Sequence, residues 1–296
     1  MGASSARERV GRCVGNVEGC PQSYVRGQAP GALTLKIAIR LVRWRLLHSP
    51  PFDGPANMAL DHALMSRARQ SGETVLRIYE WASPVLSLGR NQRARDVYLD
   101  TELARRAITV VRRPTGGRAL LHHREITYSV TAPARGEGLT AVYDRVNALL
   151  LNTFAVLGVP AMLARPHTRS RPPTALPCFA EPASGEIVVE GRKLVGSAQW
   201  REDGAVLQHG SILVDDDQAI IPQLMREPAD SPPPPATLRE VLGRSPSGLE
   251  VADALFSAVR RLEDAHATPL TSEELEQVDT SPFAEHYRDP AWTWRR

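Results

Sequence analysis

Lysine is rare in this sequence, and one lysine lies in a segment patterned like a strand. Of the 36 basic residues only Lys36 and Lys193 are lysines, and the other 34 are arginines. Either side chain serves as a surface cation, but only lysine carries a compact ammonium that can be partly desolvated or deprotonated. Lys193, in the Gly-Arg-Lys-Leu-Val-Gly-Ser-Ala-Gln segment at 191–199, is therefore a candidate for chemistry, with an ordinary surface lysine as the alternative.

Cys178 is the second candidate, as a nucleophile. It follows a Pro-rich stretch rather than lying within a periodic apolar segment, and no Asp or Glu occurs between Asp144 and Glu181. Nearby positive charge lowers the pKa of a thiol and favours the nucleophilic thiolate. The alternative is a small buried hydrophobic residue, the commoner role of a lone cysteine. The arginines of that interval are Arg145, Arg165, Arg169 and Arg171.

A pair of glycines forms the third candidate, in the segment Arg-Arg-Pro-Thr-Gly-Gly-Arg-Ala-Leu-Leu-His at 112–122. Gly116 and Gly117 would let the backbone approach a ligand closely, although such a pair is more often a simple hairpin turn. The Gly-Lys-Ser/Thr of a nucleotide-binding P-loop is missing. His122 and His123 have no partner at metal-ligand spacing, so we expect no metal.

A polar triplet interrupts an apolar run at 207–213, Leu-Gln-His-Gly-Ser-Ile-Leu. His209 and Gly210 fit the wall of a pocket and fit a hairpin corner equally well. Ser197 or Ser211 with His209 would suggest a serine hydrolase, but the sequence has no Gly-x-Ser-x-Gly motif.

These segments must be positioned by an α+β fold. Short alternating strands are predicted across 44–131 and 186–214, with helices from Pro55, over 97–106 and over 139–157. We predict a disordered extension over 1–42, a catalytic acyl-transfer domain over 43–223, and a Pro-rich linker with C-terminal helices over 224–296.

Composition excludes several classes of protein. The net charge is +3 and 42% of the 296 residues are hydrophobic, which is ordinary for a globular protein and a poor match to a dedicated nucleic-acid binder. Three cysteines cannot form a disulfide framework at this length, and no apolar run is long enough to span a bilayer. We expect a cytoplasmic enzyme or binding protein.

Together these motifs resemble the lipoate/octanoate protein ligase and transferase family. The resemblance covers about 44–215 and rests on Asn-Met-Ala-Leu-Asp at 57–61, Leu-Gly-Arg-Asn-Gln at 88–92, 112–122, 191–199 and Gln-His-Gly-Ser at 208–211. It implies a mixed or antiparallel sheet flanked by helices, like class II aminoacyl-tRNA synthetases and biotin protein ligases, with a small helical C-terminal region. His62 departs from the family, whose members usually carry an acid there.

Within the family, Cys178-Phe179 followed by the Lys193 strand is most similar to the LipM-type octanoyltransferases. The resemblance implies that Cys178 carries the acyl group and that Lys193 is its essential partner. It also implies a set of substrate-binding residues, with no metal. These are Arg113, Thr115, Gly116, Gly117, His122, Gly196, Ser197, Ala198, Gln199, His209 and Gly210.

The implied reaction moves octanoate from octanoyl-acyl carrier protein through a cysteine thioester to the lysine of a lipoyl domain, either the glycine cleavage H protein or a 2-oxoacid dehydrogenase E2. Thioester exchange needs no cofactor. Both partners are acidic, so we expect the arginine-rich stretch 105–118 to dock them, and we expect no nucleic-acid or membrane partner.

Three alternatives stay open. An ATP-dependent lipoate-protein ligase would need ATP and Mg²⁺, and Cys178 would then be incidental. A non-catalytic accessory protein would bind acylated carriers without forming an acyl adduct. An amidotransferase would use the same cysteine but take octanoate from another lipoyl domain.

Overall fold

The computed structural model describes residues 42–164, 179, 185–227 and 231–296. The extension predicted over 1–42 therefore lies, apart from its last residue, outside the described residues. The strands are β1 Trp44–His48, β2 Thr74–Tyr79, β3 Val85–Leu88, β4 Thr109–Arg112, β5 Leu120–His122, β6 Glu125–Pro133, β7 Met162–Leu163, β8 Ile187–Val189, β9 Arg192–Glu202, β10 Ala205–Leu213 and β11 Thr268–Pro269.

Eight α-helices lie in the described part of the chain. They are α1 Gly54–Ser71, α2 Asp100–Arg105, α3 Leu139–Leu157, α4 Leu238–Leu242, α5 Gly248–Leu262, α6 Ser272–Glu276, α7 Ser281–Arg288 and α8 Pro290–Thr293. Helix α1 begins where the Asp53 side chain accepts a hydrogen bond from the backbone N–H of Ala56, at 2.8 Å, and it ends at Gly72, which has a φ of 75°. These are common helix-capping arrangements.

The large sheet is mixed. Its strand order is β11-β1-β2-β6-β10-β9-β8-β7. Strand β1 runs parallel to β2 and β11, whereas the pairs from β2 through β6, β10, β9 and β8 to β7 are antiparallel. A second sheet has the order β4-β3-β5 and carries the two-glycine segment between β4 and β5.

The two faces of the large sheet have different coverings. On one face, apolar side chains of α3 and α5 pack with alternate residues of the strands, including Ile78, Tyr128 and Ile212. The intervening strand residues lie on the other face, towards α1, where Arg77 donates to Asp61 of that helix. We call this second face the α1 face, and it holds most of the candidate site.

The predicted α+β class is confirmed by this arrangement of sheets and helices. The polar triplet that interrupts the apolar run at 207–213 does not break the strand, because β10 runs unbroken over Ala205–Leu213. Gln208, His209 and Ser211 cause no corner, since each has a polar partner in the interior. The hairpin-corner interpretation of His209 and Gly210 is therefore wrong.

None of the helices in the described ranges is both long and apolar enough to cross a membrane.

Candidate active site

Strands β9 and β10 supply the floor of the candidate site. They pair antiparallel, with Gly196 opposite Ser211 and Ala198 opposite His209. Since side chains alternate along a strand, these four residues share one face of the sheet. It is the α1 face, because His209 reaches Asp61 of α1. The two residues contributed by β9 are small, so little side-chain volume projects from the floor along that strand.

A β-bulge turns Lys193 onto the same face. In the pairing of β8 with β9, Ile187 lies opposite Val195 and Val188 lies opposite Lys193, so Leu194 is an extra residue in β9. Leu194 and Val195, although consecutive, both pack in the core beneath α3 and α5. Without the extra residue, strict alternation would point Lys193 into that core. Bulges re-aim side chains in this way beside active sites.

Lys193 is buried, with 3% of its surface exposed. Its ammonium donates a hydrogen bond of 2.7 Å to Oε1 of Glu186 and lies 5.0 Å from the centre of the Phe179 ring. A Cβ on Gly196 would come within 3.1 Å of Phe179 and 3.2 Å of the Cε atom of Lys193. Gly196 therefore leaves the space in which the ammonium and the ring meet. The predicted nucleophile Cys178, which precedes Phe179 in sequence, lies outside the described residues.

Arg113 holds the two-glycine turn closed. Its guanidinium donates to the carbonyl oxygens of Gly116 and Arg118, each at 2.8 Å, and to that of Ser87 at 3.0 Å. Gly117 has a φ of 102°, and a Cβ on it would lie 2.6 Å from the Arg113 guanidinium. Glycine is required here for both reasons. Arg113, predicted to bind substrate, is thus placed to shape the turn.

The turn is joined to the floor through Thr115. Its hydroxyl lies 2.7 Å from Nε2 of His209, and Nδ1 of His209 lies 3.4 Å from Oδ2 of Asp61. An ionised carboxylate only accepts hydrogen bonds, so Nδ1 donates to Asp61, which leaves Nε2 to pair with the Thr115 hydroxyl. This series of hydrogen bonds holds the Gly116–Gly117 turn at a fixed distance from β10.

Asp61 lies at the centre of a buried polar network. Arg77 donates to its Oδ1 at 2.8 Å, as does Ser129 at 2.8 Å, and the Tyr79 hydroxyl donates to Oδ2 at 3.0 Å. Burial alone would raise the pKa of Asp61, but the charge of Arg77 and the hydrogen bond from His209 outweigh burial and hold it below its ordinary value. Asp61 therefore stays ionised and keeps His209 oriented.

His122, the last residue of β5, meets the α1 face at Ser211 of β10. Its Nδ1 is 3.0 Å from Oε1 of Glu125 and 3.3 Å from the Ser211 hydroxyl, and its ring stacks on Trp81 with a centroid distance of 4.0 Å. Burial lowers the pKa of His122, against the opposing charge of Glu125. The residues the structure describes hold no group of three or more His, Cys, Asp or Glu that could bind a metal ion.

Three predicted site residues lie on the opposite face of the sheet. The Ser197 hydroxyl is 2.7 Å from the Tyr128 hydroxyl, and Gln199 donates to Gln208 at 2.9 Å and to the backbone of Leu139. A Cβ on Gly210 would lie 2.6 Å from the Gly196 carbonyl oxygen. Ser197, Gln199 and Gly210 thus line the side of α3, and their role in substrate binding stays a prediction.

The structure therefore brings together Thr115, Gly116, Gly117, His122, Gly196, Ala198, His209 and Lys193 along the α1 face. Sequence reasoning missed Glu186 and Asp61 as partners of the basic groups. A signal existed for Glu186, because an acid seven residues before the strand lysine can meet it across a hairpin. The contact of Asp61 with His209 spans 148 residues and has no such local signal.

His62, the departure from the family pattern, fastens α7 to α1. Its ring stacks on Phe283 with centroids 3.9 Å apart, packs edge-on against Trp200, and its Nδ1 lies 3.2 Å from the Tyr287 hydroxyl. Burial, followed by the charges of His286 and Arg90, lowers the pKa of His62 to about 4. At neutral pH the ring is therefore uncharged.

This depressed pKa predicts acid sensitivity. As the pH falls from 6.5 to about 4, the unfolded chain protonates His62 while the folded protein does not, so stability is present above pH 6.5 and is lost across this window. The Tm of the wild type should therefore fall more steeply from pH 7 to pH 4 than the Tm of His62→Phe, in which the aromatic stacking is kept. Parallel curves for the two proteins would contradict this.

The fold is that of the lipoate protein ligases. A bipartite lipoate protein ligase from Thermoplasma acidophilum, studied with its E2 lipoyl domain, superposes with a TM-score of 0.67 at 19% sequence identity, covering 86% of this chain and 96% of that chain. At this identity the likeness establishes the architecture and leaves the chemistry to the site.

Sequence relatives define the family. The family model of the lipoyl protein ligase A/B catalytic domain matches residues 53–260. Octanoyltransferase LipM of Kyrpidia tusciae is 37% identical over 273 residues, covering 86% of this chain and 99% of the relative. Octanoyltransferase LipM of Symbiobacterium thermophilum is 39% identical over 276 residues, covering 86% and 98%. The chain belongs to the lipoyl protein ligase A/B family, as its motifs predicted.

Proposed function

We propose that the protein is an octanoyltransferase that moves octanoate from acyl carrier protein through a thioester on Cys178 to the lysine of a lipoyl domain. The relatives confirm the class of enzyme predicted from the sequence, an acyltransferase of protein lipoylation. One observation supports the assignment of residues: Lys193 is buried and turned by a bulge onto the α1 face, against Phe179, which follows Cys178.

In the first half-reaction the Cys178 thiolate attacks the thioester carbonyl of the donor. A bond forms between the Cys178 sulfur and the acyl carbon, the carrier's carbon–sulfur bond breaks, and the carrier leaves as a thiolate that takes up a proton. Lys193, held by Glu186 at 2.7 Å, supplies a fixed positive charge for the oxyanion of the tetrahedral intermediate.

In the second half-reaction the neutral amine of the target lysine attacks the acyl-enzyme. An amide bond forms, the amine releases a proton, and Cys178 leaves as the thiolate with which the cycle began. The Lys193 ammonium stabilises the Cys178 thiolate twice in the cycle, before it attacks the donor and after it leaves the acyl group. The octanoyl chain can pack against a buried apolar cluster, which consists of Leu120, Phe179 and Leu213.

The transfer as proposed uses no metal or nucleotide, because a thioester is exchanged for a thioester and then for a more stable amide. An ATP-dependent ligase is the second candidate, favoured by the fold it shares with lipoate protein ligases. That activity would activate free lipoate with ATP and Mg²⁺ and would not require Cys178. We place the reaction in the cytoplasm, since a thiol nucleophile needs a reducing compartment.

The two candidates are separated by their donors. We expect the purified protein to octanoylate a lipoyl domain from octanoyl-acyl carrier protein without ATP, at a rate that added ATP and Mg²⁺ leave unchanged. The measurement is the mass shift of the lipoyl domain. Modification that requires free lipoate or octanoate with ATP would establish the ligase instead, and modification only from an octanoylated lipoyl domain would establish the amidotransferase.

A further inference from the structure

Two distant segments that carry five arginines meet beside the two-glycine turn. The backbone N–H groups of Ala94 and Arg95 donate to the carbonyl oxygen of Arg296 at 2.9 and 2.7 Å, and the Arg295 guanidinium donates to the carbonyl oxygen of Arg90 at 2.5 Å. We call this surface the arginine patch. Its members are Arg90, Arg93, Arg95, Arg295 and Arg296.

No acidic side chain of the described ranges pairs with the patch. In that part of the chain no Asp or Glu lies within 4.0 Å of these five guanidinium groups, whereas Arg105, Arg192 and Arg244 each pair with a glutamate at 2.5–2.7 Å. Burial lowers the pKa of Arg295, and the positive charges of Arg90 and Arg296 lower it further. Cations held together without acidic side chains beside them carry an electrostatic cost that an acidic partner would relieve.

Aromatic rings hold two members of the patch, Arg90 and Arg295, in place. The Arg295 guanidinium lies 4.0 Å from the centre of the Trp292 ring, and that of Arg90 lies 5.2 Å from Trp200 and 5.9 Å from Trp292. Trp292 is itself fixed, because its indole N–H donates to the Arg112 carbonyl oxygen at 2.8 Å. A surface already ordered loses less side-chain entropy when a partner binds.

The patch lies at one end of the candidate site. The backbone N–H of Arg90 donates to the carbonyl oxygen of Thr115 at 2.8 Å, and Trp200 lies on the same face of β9 as Ala198 and Gly196. From Trp200 to Lys193 the strand covers at most about 23 Å, seven steps of about 3.3 Å each. The low floor of Ala198 and Gly196 lies between these two ends.

This separation selects the partner. A lipoyl domain presents its target amine on a four-carbon side chain, so its own surface must lie close to Lys193 and Phe179. An acyl carrier protein presents its thioester at the end of a long flexible arm, so it can dock at a distance and reach Lys193 along the floor. Both are acidic, and the long arm of the carrier suits the separation between the arginines and Lys193.

We propose that the arginine patch docks the acidic face of the acyl-donor carrier protein, with its thioester arm extended over Ala198 and Gly196 towards Lys193. This inference rests on the proposed octanoyltransferase function, whose donor it concerns. The stretch 105–118, first expected to dock the partners, suits docking less well, because Arg112 and Arg113 are buried and Arg105 and Arg106 pair with Glu102.

The test removes charge from the three exposed members, Arg93→Gln, Arg95→Gln and Arg296→Gln, in one variant. We expect KM for octanoyl-acyl carrier protein to rise at least about tenfold at low ionic strength, with kcat unchanged. KM for octanoyl-pantetheine, which has an arm but no protein, and KM for the lipoyl domain should both stay within about twofold. The control variant removes the same charge elsewhere, with Arg239→Gln, Arg244→Gln and Arg260→Gln, and should behave as wild type.

Binding of acyl carrier protein, measured by calorimetry at two salt concentrations, is recorded alongside. If the patch variant binds the carrier more weakly than the wild type and the control variant do, the docking proposal is supported, whether or not the wild type transfers octanoate. A wild type that binds the carrier but transfers nothing would overturn only the proposed function. Three results would each overturn the docking proposal. The patch variant could keep the wild-type KM and carrier binding, the wild type could fail to bind the carrier, or KM could rise for the lipoyl domain instead of the carrier.

Discussion

Lys193→Met is expected to lower the rate of octanoyl transfer by about 10²- to 10³-fold with little change in KM for either protein substrate. The ammonium is held at 2.7 Å from Glu186 on the α1 face, where it can stabilise negative charge on the thiolate and on the oxyanion. Losing one fixed group of this kind costs about that factor in kcat. Lys193→Arg should not restore the rate, because a buried position with 3% exposure cannot hold the larger planar group in the same geometry.

Two further variants separate chemistry from folding. Arg192→Met alters the neighbouring cation of β9, which pairs with Glu240 at the surface, and should keep nearly full activity. The double variant Glu186→Gln/Lys193→Met removes both charges of the buried pair and should regain most of the stability lost in Lys193→Met without regaining activity. Recovery of the transfer rate in that double variant would show that Lys193 serves only to neutralise Glu186.

Arg77→Met is expected to destabilise the protein by about 3–5 kcal/mol. Both Arg77 and Asp61 are fully buried, and their ion pair has a distance of 2.8 Å. Removing the arginine leaves the Asp61 carboxylate without its main counter-charge in the interior, which costs far more than the loss of a surface pair. The shift in the midpoint of urea unfolding measures this effect.

The surface pair between Arg69 of α1 and Asp203, which lies between β9 and β10, provides the comparison. Its distance is 3.5 Å and both side chains are well exposed, so Arg69→Met should cost less than about 1 kcal/mol. Asp61→Asn should likewise be destabilising, and it should also slow transfer, because His209 then loses the carboxylate that orients it. Equal stability of the Arg77→Met and Arg69→Met variants would contradict the assigned role of the network.

Local patterns predicted the elements well. Leu139–Leu157 matches the helix expected at 139–157, because its apolar residues recur at three- and four-residue spacing and Gly158 can end it with a φ of 80°. The strands around the two-glycine turn were also recognised, since Pro114 and the glycines mark a break in an otherwise β-branched segment. Such signals lie within a few residues of each other in the chain.

The geometry of the site had no comparable signal. The bulge at Leu194 decides which face Lys193 occupies, yet nothing in the letters of β9 distinguishes it from an even alternation. The alternating pattern around Arg77 predicts an exposed polar residue on a half-buried strand. In the structure Arg77 is fully buried, and Asp61 supplies its counter-charge. In both cases the deciding contact is with a residue distant in sequence or with the register of a neighbouring strand.

The most direct test of the acyl-enzyme mechanism is the intact mass of the protein after mixing with octanoyl-acyl carrier protein in the absence of a lipoyl domain. We predict that the wild type gains one octanoyl group, that hydroxylamine removes it, and that adding a lipoyl domain transfers it. Cys178→Ser should gain no hydroxylamine-labile group and should transfer nothing. Transfer to the lipoyl domain at the wild-type rate by Cys178→Ser would contradict the acyl-enzyme at Cys178.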